Sequence, residues 1–368
     1  MYRTVTLAFV LSCAYSQSSP QEMLDKAMAL QKSGQLGDAI RIYHTLLDRF
    51  PDIPEIRSNL GAALAGEGHY SEAITEYKRA LDLKPNPGVR LNLALAYYKA
   101  DELSLAVETL KQVREEAPTN QQVVTVLADS YLRLGRDKEV IDLLSPLQVA
   151  DPENRAFDYL LGTALVRDGQ AAKGQVIIDK ILKNGDSAEA RLLMGMTKSM
   201  VKDYAGALAE FQKAIDLDPE LPDLYSYYGL ALLTTGDQIG ARKAFEQELQ
   251  RNPNNFDANL RMGVLFRQDQ ANDEALKFLQ HALQVRPGDF GVRYQIACIE
   301  LAKRELEPAQ RDLEALVREA PEFTEAHVTL ATVYFRQKKK AEGDRERAIV
   351  MKLTADRQAQ EPGAHPVQ

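Results

Sequence analysis

The 368-residue chain has no tryptophan, two cysteines and five scattered histidines. Cys13 lies in the N-terminal leader, so the body of the chain carries one thiol, Cys298, and no internal disulfide. Cysteine usage therefore does not fix a redox compartment. His44, His69, His281, His327 and His365 make no H-x-x-x-H pair and no Cys/His cluster, so no metal site is expected. No glycine-rich loop follows a strand, which leaves no phosphate cradle. Paired acids such as Glu115/Glu116 and Asp216/Asp218 fall near helix ends, where solvated charge is the ordinary arrangement. Cys298 stands two residues after Ile296 on a helix, within reach of a groove. With no histidine near it in sequence, it reads as a packed thiol rather than a nucleophile. No catalytic residue and no cofactor follows from these patterns, and the chain reads as a non-enzyme. A basic excess is also missing: 45 Lys and Arg against 53 Asp and Glu give a net charge of −8. Nucleic acid is disfavoured as a partner, because phosphate contacts need a basic face. Past the leader, no apolar run approaches the ~20 residues of a membrane span.

What the chain does have is a repeat. Pro54–Pro85, PEIRSNLGAALAGEGHYSEAITEYKRALDLKP, reads as two amphipathic helices folded back on each other. Pro54 and Glu55 suit a first helical turn, and Ile56, Leu60 and Leu64 recur at helical spacing. Gly66 and Gly68 mark the turn, and Ser71 ahead of Glu72 reads as the cap of the second helix. That helix carries Ala73, Ile74, Tyr77, Ala80 and Leu81 on one face before Pro85 ends it. Closing prolines return at 51, 85, 118, 152, 219, 253, 287 and 321, at intervals of 34, 33, 34, 67, 34, 34 and 34. The long interval holds two units, with Asn184-Gly185-Asp186 as the turn in place of a proline. A large residue followed by a small one recurs at Leu60-Gly61, Leu93-Ala94, Leu127-Ala128, Leu161-Gly162, Met194-Gly195, Tyr228-Gly229, Met262-Gly263, Ile296-Ala297 and Leu330-Ala331. Second helices align Ala39, Ala73, Ala106, Ala207, Ala241, Ala275 and Ala309, with a large apolar residue four positions later. A steady period of this kind signals an array whose units bury their apolar faces on their neighbours.

The period, the small-residue pairs, the A-x-x-x-F/Y step and the closing proline resemble the tetratricopeptide repeat. Tyr225-x-x-Tyr228-Gly229-x-x-Leu232, followed by Ala241-x-x-x-Phe245 and Pro253, is the fullest match beside Pro54–Pro85. The resemblance covers residues 20–357, in units near 20–53, 54–86, 87–120, 121–154, 155–187, 188–221, 222–255, 256–289, 290–323 and 324–357. It departs from the family where no unit has tryptophan at the first aromatic position, and where Val140 and Gly174 replace the aligned alanine. It implies an all-α fold, a right-handed α-α superhelix of nine to ten helical hairpins. The long polar second helix of the last unit suits an exposed end.

In proteins of this kind the first helices form the inner wall and hold extended peptides or partner helices. The matching partner-binding positions are Asn59, Asn92, Leu95, Tyr98, Asp129, Tyr159, Thr163, Met196, Tyr294 and Phe335. An equally weighted alternative packs some of them on the adjacent first helix. A carboxylate clamp is not expected, since Leu24/Met28 and Ser58/Ala62 stand where Lys/Asn would be needed. The asparagine ladder of protein O-linked sugar transferases ends after Asn59 and Asn92. Lys99, Arg133, Arg167 and Arg336 recur at the ends of first helices and read first as complements to the helix dipole, with a basic stripe as the alternative.

Residues 1–16, MYRTVTLAFVLSCAYS, carry an early arginine, an apolar run and small residues before a cleavage point after Ser16. They read as a secretory signal peptide, with acylation of Cys13 as an alternative. The chain is then expected to be exported, periplasmic or associated with the cell envelope, or cytoplasmic if the leader stays uncleaved. Residues 358–368 are expected to form a disordered tail. The functional expectation is a non-enzymatic scaffold that binds a protein or peptide. The alternative is an accessory subunit of a cell-envelope enzyme, a glycan-handling or a secretion assembly.

Overall fold

A computed structural model describes residues 19–118, 120–183 and 185–360 of the chain. The leader and its cleavage point, Cys13 and residues 361–368 of the expected tail lie outside the described residues. The described residues form twenty α-helices and no strand, arranged as ten consecutive hairpins. The chain divides after Leu127, inside a helix, into two compact bodies.

The first body holds α1 (Pro20–Lys32), α2 (Leu36–Arg49), α3 (Pro54–Gly66), α4 (Tyr70–Leu83), α5 (Pro87–Lys99), α6 (Leu103–Glu116) and the start of α7 (Gln121–Arg133). The second holds the rest of α7, then α8 (Asp137–Ala150), α9 (Arg155–Arg167), α10 (Ala171–Lys183), α11 (Ala188–Met200), α12 (Tyr204–Leu217) and α13 (Leu224–Thr234). It continues with α14 (Gln238–Arg251), α15 (Phe256–Gln268), α16 (Asn272–Val285), α17 (Phe290–Ala302), α18 (Leu306–Glu319), α19 (Thr324–Arg336) and α20 (Lys340–Gln360). The last helix runs three residues past 357, into the stretch expected to be tail.

Every first helix ends in the same way. Gly34, Gly68, Asp101, Gly135, Gly169, Lys202, Gly236, Gln270, Arg304 and Lys338 all have positive φ, one per hairpin. The next amide reaches back to the helix, as in His69 N–H to Leu64 O at 2.9 Å and Ala271 N–H to Phe266 O at 2.9 Å. A left-handed residue after the helix, with a bond from the following amide, satisfies the orphan carbonyls and reverses the chain tightly. This turn corrects one sequence expectation. It delivers the chain to α4 at Tyr70, so Ser71 lies inside the first turn and His69 holds the cap position without a side-chain bond.

Most first helices start with proline or with a side-chain cap, whereas α13 and α19 have neither. Ser19 and Glu22 form a reciprocal capping box on α1, and Asn86, Asn154, Ser187, Asn255 and Asp289 cap α5, α9, α11, α15 and α17. The aligned alanines Ala39, Ala73, Ala106, Ala207, Ala241, Ala275 and Ala309 are fully buried, as is Val140. Gly174 takes the alanine place in α10 because Val166 fills it: a Cβ there would stand 2.7 Å from Val166 Cγ2. The unit expected to start at 222 begins its helix at Leu224 instead. Leu221 is drawn into the core and Asp223 turns left-handed at φ 64°, which delays α13.

The missing tryptophan also has a structural counterpart. Arg57 and Arg191 stand three residues before their large–small pairs and bind carboxylates nineteen residues on. Arg57 Nη1 donates to Glu76 Oε2 at 2.6 Å, and Arg191 Nη1 to Glu210 Oε2 at 2.8 Å. His327 holds the same place in α19, with Nδ1 2.6 Å from Glu346 Oε2 and Nε2 3.0 Å from Pro321 O. An ion pair or imidazole thus ties the two helices where an aromatic ring would pack.

A candidate interaction site on the first helices

The first body carries a cavity of about 320 Å³ between α1, α3 and α5, lined by Met28, Ser58, Asn59, Lys84 and Asn86 among others. Asn59 therefore faces open space. Asn92, Leu95 and Tyr98 are half-buried on α5 outside that lining, with Lys99 Nζ 6.0 Å from the Tyr98 ring centre.

The second body carries a cavity of about 350 Å³ made by the C-terminal halves of α9, α11 and α13 and the start of α12. Val166, Met196, Met200, Leu230 and Ala231 give it apolar walls, with polar edges from Arg167, Ser199, Tyr204, Tyr227 and Thr234. These residues sit together because first helices pack side by side at the hairpin period, so equivalent positions stack. Large partners hold them from behind. Tyr227 stacks on Phe211 with ring centres 6.4 Å apart, and Phe211 is itself packed with Leu193 and Leu224. Burial pushes the Tyr227 hydroxyl well above its ordinary pKa, so it stays a neutral donor.

Arg167 forms one edge of this cavity. Its Nε lies 3.1 Å from Asp137 Oδ1. Burial works against the guanidinium charge, but Tyr227, Asp137, Asp257 and Asp223 outweigh it and raise its pKa above the ordinary value. On its other side is a gap of only about 20 Å³, lined by Arg133, Arg167, Asp223, Asn255, Asp257 and Arg286 among others. Behind that gap Glu248 is buried, its Oε1 accepting from Asp223 N–H at 3.2 Å and Asn255 Nδ2 at 3.2 Å. Burial, with the Asp223 charge beside it, pushes the Glu248 carboxyl up to about 7.

The other sequence candidates are spread out. Asp129 is half-buried on α7 and adds its charge to the field at Asp223 and Tyr159. Tyr159 lines a smaller cavity of about 110 Å³ with Arg155, Asp158 and Glu189. Thr163 is buried and donates to Tyr159 O at 2.9 Å, so its hydroxyl hydrogen is committed within α9. Tyr294 shares a 3.1 Å hydrogen bond with Thr329 and tilts against Phe323. Phe335 packs on the last helix, against Gly343 and beneath the Arg347 guanidinium at 5.9 Å. Of the ten candidates, Asn59 and Met196 line the two large cavities. Ser199, Tyr204 and Thr234 were not among the expected groove positions. No pattern in the linear sequence sets them apart, since each is an ordinary residue near a helix end.

Among the described residues no group of three or more His, Cys, Asp or Glu side chains is arranged to hold a metal ion. No helix among them is long and apolar enough to cross a membrane. Tetratricopeptide-repeat models match residues 24–88, 240–290 and 294–343, a second such model residues 64–129 and 100–162, and a third residues 202–236. The chain belongs to the tetratricopeptide repeat family. Repeats of this family generally mediate protein–protein interaction and scaffolding.

The tetratricopeptide array resembles a chain in the crystal structure of the APC/C hetero-tetramer Cut9–Hcn1, with a TM-score of 0.60 over 92% of this chain and 81% of that one. Sequence identity is 15%, so the likeness shows the fold, the α-α superhelix expected from the repeat, and nothing further. The protein CTR9 homolog of Arabidopsis thaliana is 25% identical over 293 residues, covering 73% of this chain and 26% of that protein. The cellulose synthase operon protein C of Escherichia coli is 28% identical over 225 residues, covering 54% of this chain and 19% of that protein. The chain thus spans about a quarter and a fifth of the lengths of these two relatives.

Proposed function

We propose that the chain is a non-enzymatic scaffold that binds a protein or peptide partner along its first helices, with an apolar partner side chain seated between Met196, Met200 and Leu230. The observation that carries this reading is the 350 Å³ apolar cavity at three consecutive first helices of an interaction-family array. Its volume falls within the ~300–1,000 Å³ range of ligand sites, and its pattern of apolar walls with few polar edges suits a buried anchor residue. Leu230 is 37% exposed, so Leu230→Glu leaves the core alone while placing charge at the mouth. That substitution should weaken partner binding about tenfold or more. Unchanged binding would remove the cavity from the account.

The same proposal places the chain outside the cytoplasm, on the strength of the leader in residues 1–16. N-terminal sequencing of protein from its native cells should begin at Gln17, and an intact Met1 would end the export claim. A second reading makes the chain an accessory subunit of an envelope glycan-handling assembly, supported by its likeness to the cellulose synthase operon protein C. Copurification with a membrane-bound transferase would favour it. A partner set with no envelope enzyme would count against it.

A further inference from the structure

The ends of helices far apart in the chain are tied together on the other side of Arg167. Arg286, at the end of α16, donates from Nε to Arg133 O at 2.8 Å, a bond between residues 153 positions apart. Arg133 O is a carbonyl of the last turn of α7, so the cation meets the negative end of the helix dipole. The Arg286 guanidinium also lies 3.8 Å over the Phe256 ring centre at the start of α15. The fit is close. A Cβ on Gly135, which has φ +72°, would stand 3.2 Å from the Arg286 guanidinium.

Opposite charges complete the contact. Arg133 and Arg167 stand at the C-terminal ends of α7 and α9, and Asp223 and Asp257 at the starts of α13 and α15. All four line the 20 Å³ gap together with Arg286. That space holds roughly one water and no peptide strand. Arg167 thus separates a cavity large enough for a side chain from a stretch of the same helix ends filled by the protein's own side chains.

We propose that Arg286, with Arg133 O, Phe256 and the facing Asp and Arg pairs, is a clasp that holds the hairpins from α7 to α16 closed. A ligand that extends past Arg167 is admitted only when the clasp opens. The second statement rests on the partner-binding role of the neighbouring cavity; the first does not.

The test uses the full chain with Cys13→Ser and Cys298→Ser, and spin labels at Lys138 and Gln284, both exposed and on opposite sides of the clasp. Double electron–electron resonance should give one narrow distance in the parent. Arg286→Ala should populate a second, longer distance by at least several-fold over the parent. Phe256→Leu, which removes the stacking ring but keeps an apolar residue, should do so to a smaller extent. If either variant keeps its helix content and retains the parental distance distribution, the clasp is overturned. Should Arg286→Ala lose helix content, Phe256→Leu carries the same criterion. Photo-crosslinkers at Thr234 in the cavity and at Asn252 in the gap then read docking and admission separately, and Arg286→Ala should raise the yield of partner trapped at Asn252 several-fold. An unchanged yield at Asn252 from an opened array would overturn gating. Absence of capture at Thr234 in every chain, with normal opening, would instead overturn the docking role of the cavity.

Discussion

Gly229 leaves room for Phe245: a Cβ on the glycine would stand 2.7 Å from the phenylalanine ring edge. The same fit joins Gly61 to Tyr77 at 2.8 Å and Gly263 to Leu279 at 2.6 Å between the two helices of one hairpin, while Gly162 meets both Ile177 of its own hairpin and Leu193 of the next. The glycine of these pairs is therefore set by the ring or branched side chain packed against it. Gly229→Ala should cost about 1–3 kcal/mol by overpacking. Because the array is not a single two-state unit, the loss is best read as faster amide exchange in α13 and α14. Protection equal to the parent would show that Phe245 can move aside.

The left-handed turn residues make the opposite prediction. Gln270 and Arg304 adopt φ of 63° and 65° where other hairpins have glycine. A side chain in that region costs about 1–2 kcal/mol, partly offset by the extra freedom glycine has when unfolded. Gln270→Gly and Arg304→Gly should each stabilise their hairpins by about 0.5–1 kcal/mol. The measurement is slower exchange in α15–α16 and α17–α18. A destabilised hairpin in either variant would contradict it.

Glu248 gives a pH dependence. Its carboxyl rises from an ordinary value of 4.5 to about 7 in the fold, by burial and by the neighbouring Asp223 charge. Below the unfolded value both states are protonated and its contribution to stability is fully present. As pH climbs through the folded value the folded state must ionise a buried group, and that contribution is lost. A shift of this size corresponds to about 3 kcal/mol between pH 4.5 and 7. Denaturant stability of the α13–α16 region should fall over that window, and Glu248→Gln should flatten the fall. A slope unchanged by Glu248→Gln would assign the effect elsewhere.

Arg57 and Glu76 test the pair that stands where an aromatic would. Their side chains are 13% and 11% exposed. Removing the carboxylate strands a largely buried cation, so Glu76→Ala should cost roughly 3 kcal/mol. The double replacement Arg57→Leu with Glu76→Leu should recover most of that. Equal losses in single and double variants would mean that the pair is not coupled.

The repeat was legible because it is local. A 34-residue period, the alanine column and the small residue after each large one are constraints of the repeat, and each leaves a mark at fixed spacing. The turn chemistry was only half legible, since five of the ten left-handed positions are not glycine and look like ordinary surface residues. Ser71 is misplaced for the same reason, because the reversal at Gly68 starts α4 two residues sooner. The candidate site was less legible still. Met196 follows from its place in the repeat, but Tyr227 is not among the positions the repeat points to. Arg167 was read as a dipole complement and Arg286 was not singled out at all. Their meeting depends on how successive hairpins stack, which places Arg286 beside Arg133 across 153 residues. No pattern of spacing within a unit carries that information.

The most direct test of the central claim is site-specific photo-crosslinking in the native cell. A crosslinker at Thr234, on the rim of the 350 Å³ cavity, is compared with one at Ile239, which is 74% exposed on α14 outside its lining. Thr234 should trap a defined protein partner that Ile239 does not, and Leu230→Glu should abolish the product. Equal trapping at both positions, or a Thr234 product indifferent to Leu230→Glu, would contradict a partner seated in this cavity.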